Sequence, residues 1–134
     1  MSPTQQVVQS WFDFIAQGDA EAAFALFDEN VVYDLKGSTP VSGVYTGLAE
    51  IVEKFFVPWR KQIVGDLVIE VTELIGEGER VVALGQGAAK TVFDLNYDND
   101  YAFVFTVKDG KITRVEEFLD TALVETAAYG KKIV

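Results

Sequence analysis

The segment DYAFVFTVKDGKITRVEEFLD, residues 100–120, gives the clearest indication of the fold class. Two runs rich in aromatic and β-branched residues flank Asp109-Gly110, and an Asp-Gly pair in that setting is a strong signal for a β-hairpin. Residues 66–93 repeat the pattern, with two such runs joined by the glycine-rich segment 76–79. The second half of the chain therefore predicts four antiparallel strands in a meander.

The first half has a different, helical pattern. Apolar residues recur at helical spacing in residues 2–30, and Gly18-Asp19 divides that segment into two helices. A strand is predicted at Val31–Leu35, a turn-rich loop follows, and residues 47–62 return to helical spacing with Pro58 near the end. The order predicts one α+β domain over residues 1–134, in which a curved mixed or antiparallel sheet wraps over three helices as a cone-shaped barrel.

Composition excludes several classes of function. The chain has 134 residues, of which 49% are hydrophobic and 13% aromatic, so it can bury a core. Its net charge of −10 argues against nucleic-acid and membrane-surface partners. Because there is no cysteine and no histidine, acid–base chemistry must use Asp, Glu, Lys or Tyr, and we predict neither a metal nor another cofactor. No signal peptide and no apolar run of membrane-spanning length is visible, so we expect a cytoplasmic protein.

Side-chain alternation on the last two strands predicts which residues point into the cone. On the last strand, the more apolar and therefore inward set is Thr113, Val115, Glu117 and Leu119. On the strand before it, the bulky inward set is Tyr101, Phe103, Phe105 and Val107. Glu117 is then a carboxyl group among apolar neighbours. The competing interpretations are an ion pair with Lys90 or Arg114, or a bulge that turns Glu117 to solvent.

Asp34 is the second candidate acid. It alternates with the apolar Val32 on the first strand, so an inward Val32 brings Asp34 inward as well. Two carboxyl groups in one hydrophobic chamber would raise the pKa of one of them, which suits a base that removes a proton beside a carbonyl. The alternative is that Asp34 only binds backbone amides of the Gly-Ser-Thr-Pro loop.

Aromatic residues at helical spacing supply candidate ligand contacts, although such residues more often form a core. The predicted binding set is Trp11, Phe55, Trp59, Tyr101, Phe103, Val115 and Leu119, around a small hydrophobic ligand. Phe118 falls on the outward face of the last strand, where an apolar side chain calls for a partner surface. We therefore predict a homodimer through the outer face of the sheet.

Three segments together resemble a known family. They are WFDFIAQGDAEAAFALFDENVVY (11–33), PVSGVYTGLAEIVEKFF (40–56) and YAFVFTVKDGKITRVEEFLDT (101–121). Their order and spacing resemble the nuclear transport factor 2-like superfamily, and within it the SnoaL-like branch with its ketosteroid-isomerase relatives. The resemblance implies a cystatin-like cone that forms a single SnoaL-like domain. This fold hosts isomerases, cyclases, hydrolases, dehydratases and noncatalytic binders.

The resemblance carries over to individual residues only in part. Asp34 falls where the isomerase relatives keep their proton-shuttling aspartate. Their two oxyanion donors would fall at Trp11 and near Phe103, which argues against steroid isomerisation by the familiar mechanism. The Arg-x-Asp of the epoxide-hydrolase relatives is missing. The polyketide-cyclase relatives use an acid inside the cone, a role open to Glu117 or Asp34, although no histidine can assist it.

Two functional hypotheses follow. The first is a cofactor-free isomerase, cyclase or lyase acting beside a carbonyl, with Asp34 as the base and Glu117 as the partner acid. A tyrosine would donate to the developing enolate, and Tyr33, Tyr45, Tyr97 and Tyr101 are the candidates. The second is a noncatalytic ligand-binding or dimerisation module of the same fold.

Overall fold

A computed structural model describes residues 1–134. The helical segments are α1 (Pro3–Ala16), α2 (Ala20–Phe24), α3 (Leu48–Glu50), a π-helical segment (Ile51–Phe56), α4 (Val57–Arg60), α5 (Thr121–Leu123) and a second π-helical segment (Val124–Ala128). The strands are β1 (Phe27–Leu35), β2 (Gly43–Thr46), β3 (Ile63–Glu77), β4 (Arg80–Thr91), β5 (Asn99–Lys108) and β6 (Lys111–Leu119). The predicted α+β class is confirmed. No helix combines the length and the apolar character that crossing a membrane requires.

All six strands form one curved, mixed sheet in the order β2-β1-β6-β5-β4-β3. Neighbouring strands are antiparallel except β1 and β6, which are parallel. The pairing of β1 with β6 joins the two halves of the chain. The long strands curl over α1 and the helical segment after β2, and this arrangement makes the predicted cone.

Both predicted hairpins are present, and local turn chemistry explains them. Asp109 and Gly110 have φ angles of 51° and 77°, which suits a two-residue turn that matches the right-handed twist of β5 and β6. In the β3–β4 hairpin, Glu77 pairs with Arg80, so the turn consists of Gly78 and Glu79. The sequence signals located these turns because a tight turn depends on its own few residues.

Strand β2 lies where the sequence pattern predicted a loop followed directly by a helix. It has only four residues and pairs antiparallel with β1, so that Tyr45 lies opposite Tyr33. Strand β1 is also longer than predicted, since it begins at Phe27 and not at Val31. A four-residue edge strand is too short to show a periodicity, and its pairing partner decides its conformation.

The helix after β2 runs through Pro58 but changes its geometry on the way. In a regular α-helix, Pro58 would lack the N–H that bonds the carbonyl of Lys54, and its ring would clash with that carbonyl. The π-helical turn over Ile51–Phe56 precedes the proline, and α4 then continues to Arg60. The widened turn before the proline therefore lets the helix continue past Pro58, and Ile51 and Phe55 on this turn are buried.

The core lies between the concave face of the sheet and the helices. Ser2 caps α1 in a capping box with Gln5, and α1 buries Val8, Trp11 and Phe12 against the sheet. The bulky face of β5 is fully inward, as predicted, and its buried residues are Tyr101, Phe103, Phe105 and Val107. On β6 the prediction for Thr113 is wrong, because a register shift opposite Thr106 and Val107 buries Ile112 in its place.

Candidate functional site

A cavity of about 480 Å³ lies between the helices and the concave face of the sheet. Twenty residues line it, and fifteen of them are hydrophobic. That size and that lining are typical of sites for small organic molecules. Five residues of the predicted binding set line it: Trp11, Phe55, Trp59, Tyr101 and Phe103.

Val115 and Leu119 do not line the cavity, so their predicted ligand-facing position is wrong. Val115 is completely buried in the hydrophobic core. Leu119, at the end of β6, packs against the edge of that core. Side-chain alternation gives the face of a residue correctly, but whether a residue reaches the cavity depends on the curvature of the sheet and on the side chains around it.

Glu117 lies on the floor of the cavity. It sits on β6 with Phe103 opposite it on β5 and Leu35 opposite it on β1. Its side chain is buried and lines the cavity, as predicted. Its carboxyl group has one hydrogen-bond partner, the hydroxyl of Tyr33, which donates to Oε1. Both competing interpretations of Glu117 are wrong, because the residue makes no ion pair and does not turn to solvent.

The surroundings of Glu117 favour its neutral form. Burial raises the pKa of the Glu117 carboxyl group to about 7, although the hydrogen bond from Tyr33 acts in the opposite direction. Burial and the neighbouring Glu117 also raise the pKa of Tyr33 well above its usual value, so this phenol stays protonated and remains a donor. The pair therefore places a carboxyl group that ionises near neutrality beside a permanent hydrogen-bond donor.

Asp34 faces the opposite side of the sheet, so its predicted inward orientation is wrong. Its carboxylate lies 2.7 Å from Nζ of Lys36 and 3.3 Å from Nη2 of Arg114, and it does not line the cavity. On β1 the inward residues are Val31, Tyr33 and Leu35, which leaves Val32 and Asp34 on the outer face. Val32 is apolar but lies on the outer face, so the inference that it brings Asp34 inward fails. Asp34 is also not a turn residue, since its partners are side chains.

The family comparison agrees with the resemblance seen in the sequence. Residues 8–115 match the family of the SnoaL-like domain. This chain belongs to the SnoaL-like family. No curated protein matches it.

Several solved structures of bacterial proteins have the same fold as this SnoaL-like protein. A nuclear transport factor 2-like protein of unknown function from Burkholderia pseudomallei is 21% identical, with a TM-score of 0.87 over 96% of this chain and 98% of its own. A candidate isomerase from Bacillus subtilis is 20% identical, with a TM-score of 0.79 over 98% and 95%. A candidate SnoaL-like polyketide cyclase from Jannaschia sp. CCS1 is 16% identical, with a TM-score of 0.79 over 97% and 94%.

Trp11 of the SnoaL-like domain carries a buried N–H group with no acceptor. The indole packs among Phe12, Phe27 and Phe105, at ring-centroid distances of 5.2 to 6.1 Å. Its Nε1 atom has no hydrogen-bond partner and almost no accessible surface. Trp11 therefore forms an apolar part of the wall, and its N–H does not reach the open part of the cavity.

Tyr101 adds a second phenol to the floor. Its ring stacks on Phe103, with ring centroids 5.3 Å apart, and burial raises its pKa above the usual range. Gly87 makes room for it, because a Cβ atom there would lie 2.8 Å from Cε2 of Tyr101. Tyr97 does not line the cavity, and its hydroxyl accepts a hydrogen bond of 2.9 Å from Asn99.

The sequence did not predict the rim of the cavity or the pairing at its floor. Gln17, Arg60 and Asp66 line the cavity at its solvent-exposed edge. The pairing of Tyr33 with Glu117 joins residues 84 positions apart on neighbouring parallel strands. No local pattern indicates a contact of that range. Within the whole chain, no group of three His, Cys, Asp or Glu side chains could hold a metal ion.

Proposed function

We propose that this SnoaL-like protein catalyses proton transfer at the carbon beside a carbonyl group of a small hydrophobic molecule. This is the chemistry of a cofactor-free isomerase, cyclase or lyase, and Glu117 is its general acid and base. The observation that supports it most is the Glu117 carboxyl group itself. It is buried in an apolar cavity, and its pKa is about 7. A general base works best when its pKa lies near the working pH.

Glu117 takes both roles in turn. Its ionised form removes a proton from the substrate carbon, and the protonated form returns that proton to another carbon or to the oxygen. The Tyr33 hydroxyl holds Oε1, which leaves Oε2 without a protein partner and available to the substrate. The apolar walls limit the water that would compete for the proton. Such a positioned acid or base contributes about 10²- to 10⁴-fold to the rate.

The proposal needs one carboxyl group, not the two predicted from the sequence. Asp34 is held by Lys36 and Arg114 on the outer face, where it reaches no substrate in the cavity. Tyr101 is the candidate donor to the developing enolate, because its phenol lies on the same floor and burial keeps it protonated. Neighbours of the same fold described as a candidate isomerase and a candidate polyketide cyclase support the reaction class.

One observation favours a noncatalytic ligand-binding module as the second candidate. The Trp11 N–H, which stands at the place of an oxyanion donor in the isomerase relatives, is enclosed and points to no acceptor. A binding protein needs no oxyanion donor. The raised pKa of Glu117 argues for the enzyme, however, because a binding protein gains nothing from a carboxyl group that ionises near neutrality.

Deuterium exchange separates the two candidates. The probe is 2-tetralone, a flat and readily enolised ketone, followed by proton NMR in D₂O. We expect the protein to accelerate exchange above the buffer rate, with a pH profile that rises around pH 7. We expect Glu117→Gln to return the rate to background, and Glu116→Gln, on the outer face, to keep it. Full exchange activity in the Glu117→Gln variant would exclude Glu117 as the base.

We further propose that the protein is a homodimer through the outer face of the sheet. Phe118 and Val44 expose 44% and 61% of their surface there. Sedimentation equilibrium should give twice the mass of the chain, and Phe118→Glu should shift the protein towards a monomer. A wild-type monomer at high micromolar concentration would contradict this proposal.

A further inference from the structure

The polar groups that line the cavity fall into two separate sets. The floor holds Glu117 with its phenolic neighbours, and the rim holds Gln17, Arg60 and Asp66. The surface between the two sets is almost entirely hydrophobic. Arg60, the last residue of α4, is the only basic side chain that lines the cavity.

The guanidinium group of Arg60 makes only weak contacts with its present partners. Nη1 donates to the carbonyl of Ile63 at 3.4 Å, and Nη2 lies 3.8 Å from the carboxylate of Asp66. Both distances are long for hydrogen bonds of a charged donor. The Asp66 side chain is 91% exposed, so water and salt screen that pair strongly. An incoming anion can therefore replace Asp66 as the partner of Arg60 with little loss of interaction free energy.

The proposed function places the substrate in this cavity. On that basis we propose that the substrate is an apolar molecule with a carboxylate or a similar anionic oxygen group. The anionic group binds Arg60 at the rim, and the reactive end lies against Glu117. The opposite orientation would bring the anion against the ionised Glu117. An anion on the hydrophobic walls would have no partner at all.

Because the whole chain is negatively charged, a preference for an anionic ligand depends on Arg60. With a net charge of −10, the protein repels anions at long range. A preference for an anionic ligand over a neutral one of the same shape must then come from a nearby cation. Arg60 is the only one on the lining, and its planar guanidinium matches a carboxylate in two-point contact.

A matched pair of ligands tests this assignment. Naphthalene-2-carboxylate and its neutral carboxamide have nearly the same shape and differ in charge. Binding is followed at pH 7.5 through the two indole ¹⁵N–¹H signals, because both tryptophans line the cavity. We expect the carboxylate to bind about three- to tenfold tighter than the carboxamide, as for a partly exposed charge-assisted contact.

Variants then assign the preference to one residue. Arg60→Gln should remove it and leave carboxamide binding unchanged, whereas Lys61→Gln, a neighbouring cation off the lining, should keep it. Asp66→Asn should strengthen carboxylate binding about twofold, because the competing anion is removed.

Three results would overturn the proposal: equal binding of the two ligands to the wild type, equal weakening of both by Arg60→Gln, or no shift of either indole signal. Each is independent of the Glu117-dependent exchange of 2-tetralone. If the wild type shows Glu117-dependent exchange of 2-tetralone but no preference for the carboxylate, only the proposed substrate class is refuted. If it prefers the carboxylate but does not accelerate exchange, only the proposed reaction is refuted.

Discussion

Replacing Glu117 with glutamine should change how the stability of the protein depends on pH. In the folded protein the Glu117 carboxyl group has a pKa of about 7, against an ordinary value of 4.5. Below pH 4.5 the group is protonated in both the folded and the unfolded states. Between these two values the unfolded chain releases the proton and the folded protein keeps it. The raised pKa therefore stabilises the fold at low pH, and this stabilisation is lost as the pH rises to about 7.

The magnitude follows from the shift. A shift of about 2.5 pH units at 1.36 kcal/mol per unit removes about 3 kcal/mol from the free energy of unfolding of the wild type. Glutamine has no proton to release, so the Glu117→Gln variant should not show this loss. Its amide also leaves an N–H group unsatisfied, but that penalty is the same at every pH.

Urea unfolding at pH 5 and at pH 8, followed by tryptophan fluorescence, measures the effect. The free energy of the wild type should fall relative to that of the variant by about 2.5 kcal/mol between these pH values, since part of the loss occurs below pH 5. With a urea m-value of about 2 kcal/mol/M, the midpoint difference changes by about 1.2 M. Glu116→Gln is the matched control and should keep the wild-type slope. Parallel stability profiles for Glu117→Gln and the wild type would refute the buried, proton-retaining carboxyl group.

Three further substitutions test the floor of the cavity, the outer face and the hairpin. Tyr33→Phe removes the hydrogen bond that lowers the pKa of Glu117, so carboxyl ¹³C NMR should find that pKa above 7; an unchanged value would contradict the pairing. Asp34→Asn removes the ion pairs with Lys36 and Arg114, whose side chains are 37% and 40% exposed, so it should leave 2-tetralone exchange intact and cost about 1 kcal/mol or less in urea unfolding. Gly110→Ala places a side chain at a φ of 77° and should cost about 1 kcal/mol by the same assay, with the exposed Lys108→Ala as the control.

The features that could be predicted from the sequence depend on neighbouring residues. Asp109-Gly110 fixed its hairpin because the turn needs positive φ at both positions. The alternation of bulky residues from Tyr101 along β5 held because no bulge interrupts its buried face. Glu117 could be placed inward because the register shift on β6 lies before Val115.

The features that could not be predicted depend on distant partners. On β1, Val32 and Tyr33 are both apolar, so the strand alone does not say which side faces the core. The parallel partner β6 and the helices decide it, and they turn Asp34 outward. The contact of Tyr33 with Glu117 and the position of Arg60 at the rim likewise result from tertiary packing, for which a single sequence has no period or motif.

The parallel pairing of β1 with β6 has a consequence for synthesis. Strand β1 lies between β2 and β6 in the sheet, so the edge of β1 that pairs with β6 stays unpaired until β6 has been made. Tyr33 therefore meets Glu117, 84 positions later in the chain, only after the residues between them have been made and have left the ribosome. Contacts of such long sequence range make folding slow. Ribosome-bound chains that end before Lys111 should lack protection from proteases, and the pairing of Tyr33 with Glu117 in the cavity should be among the last contacts to form.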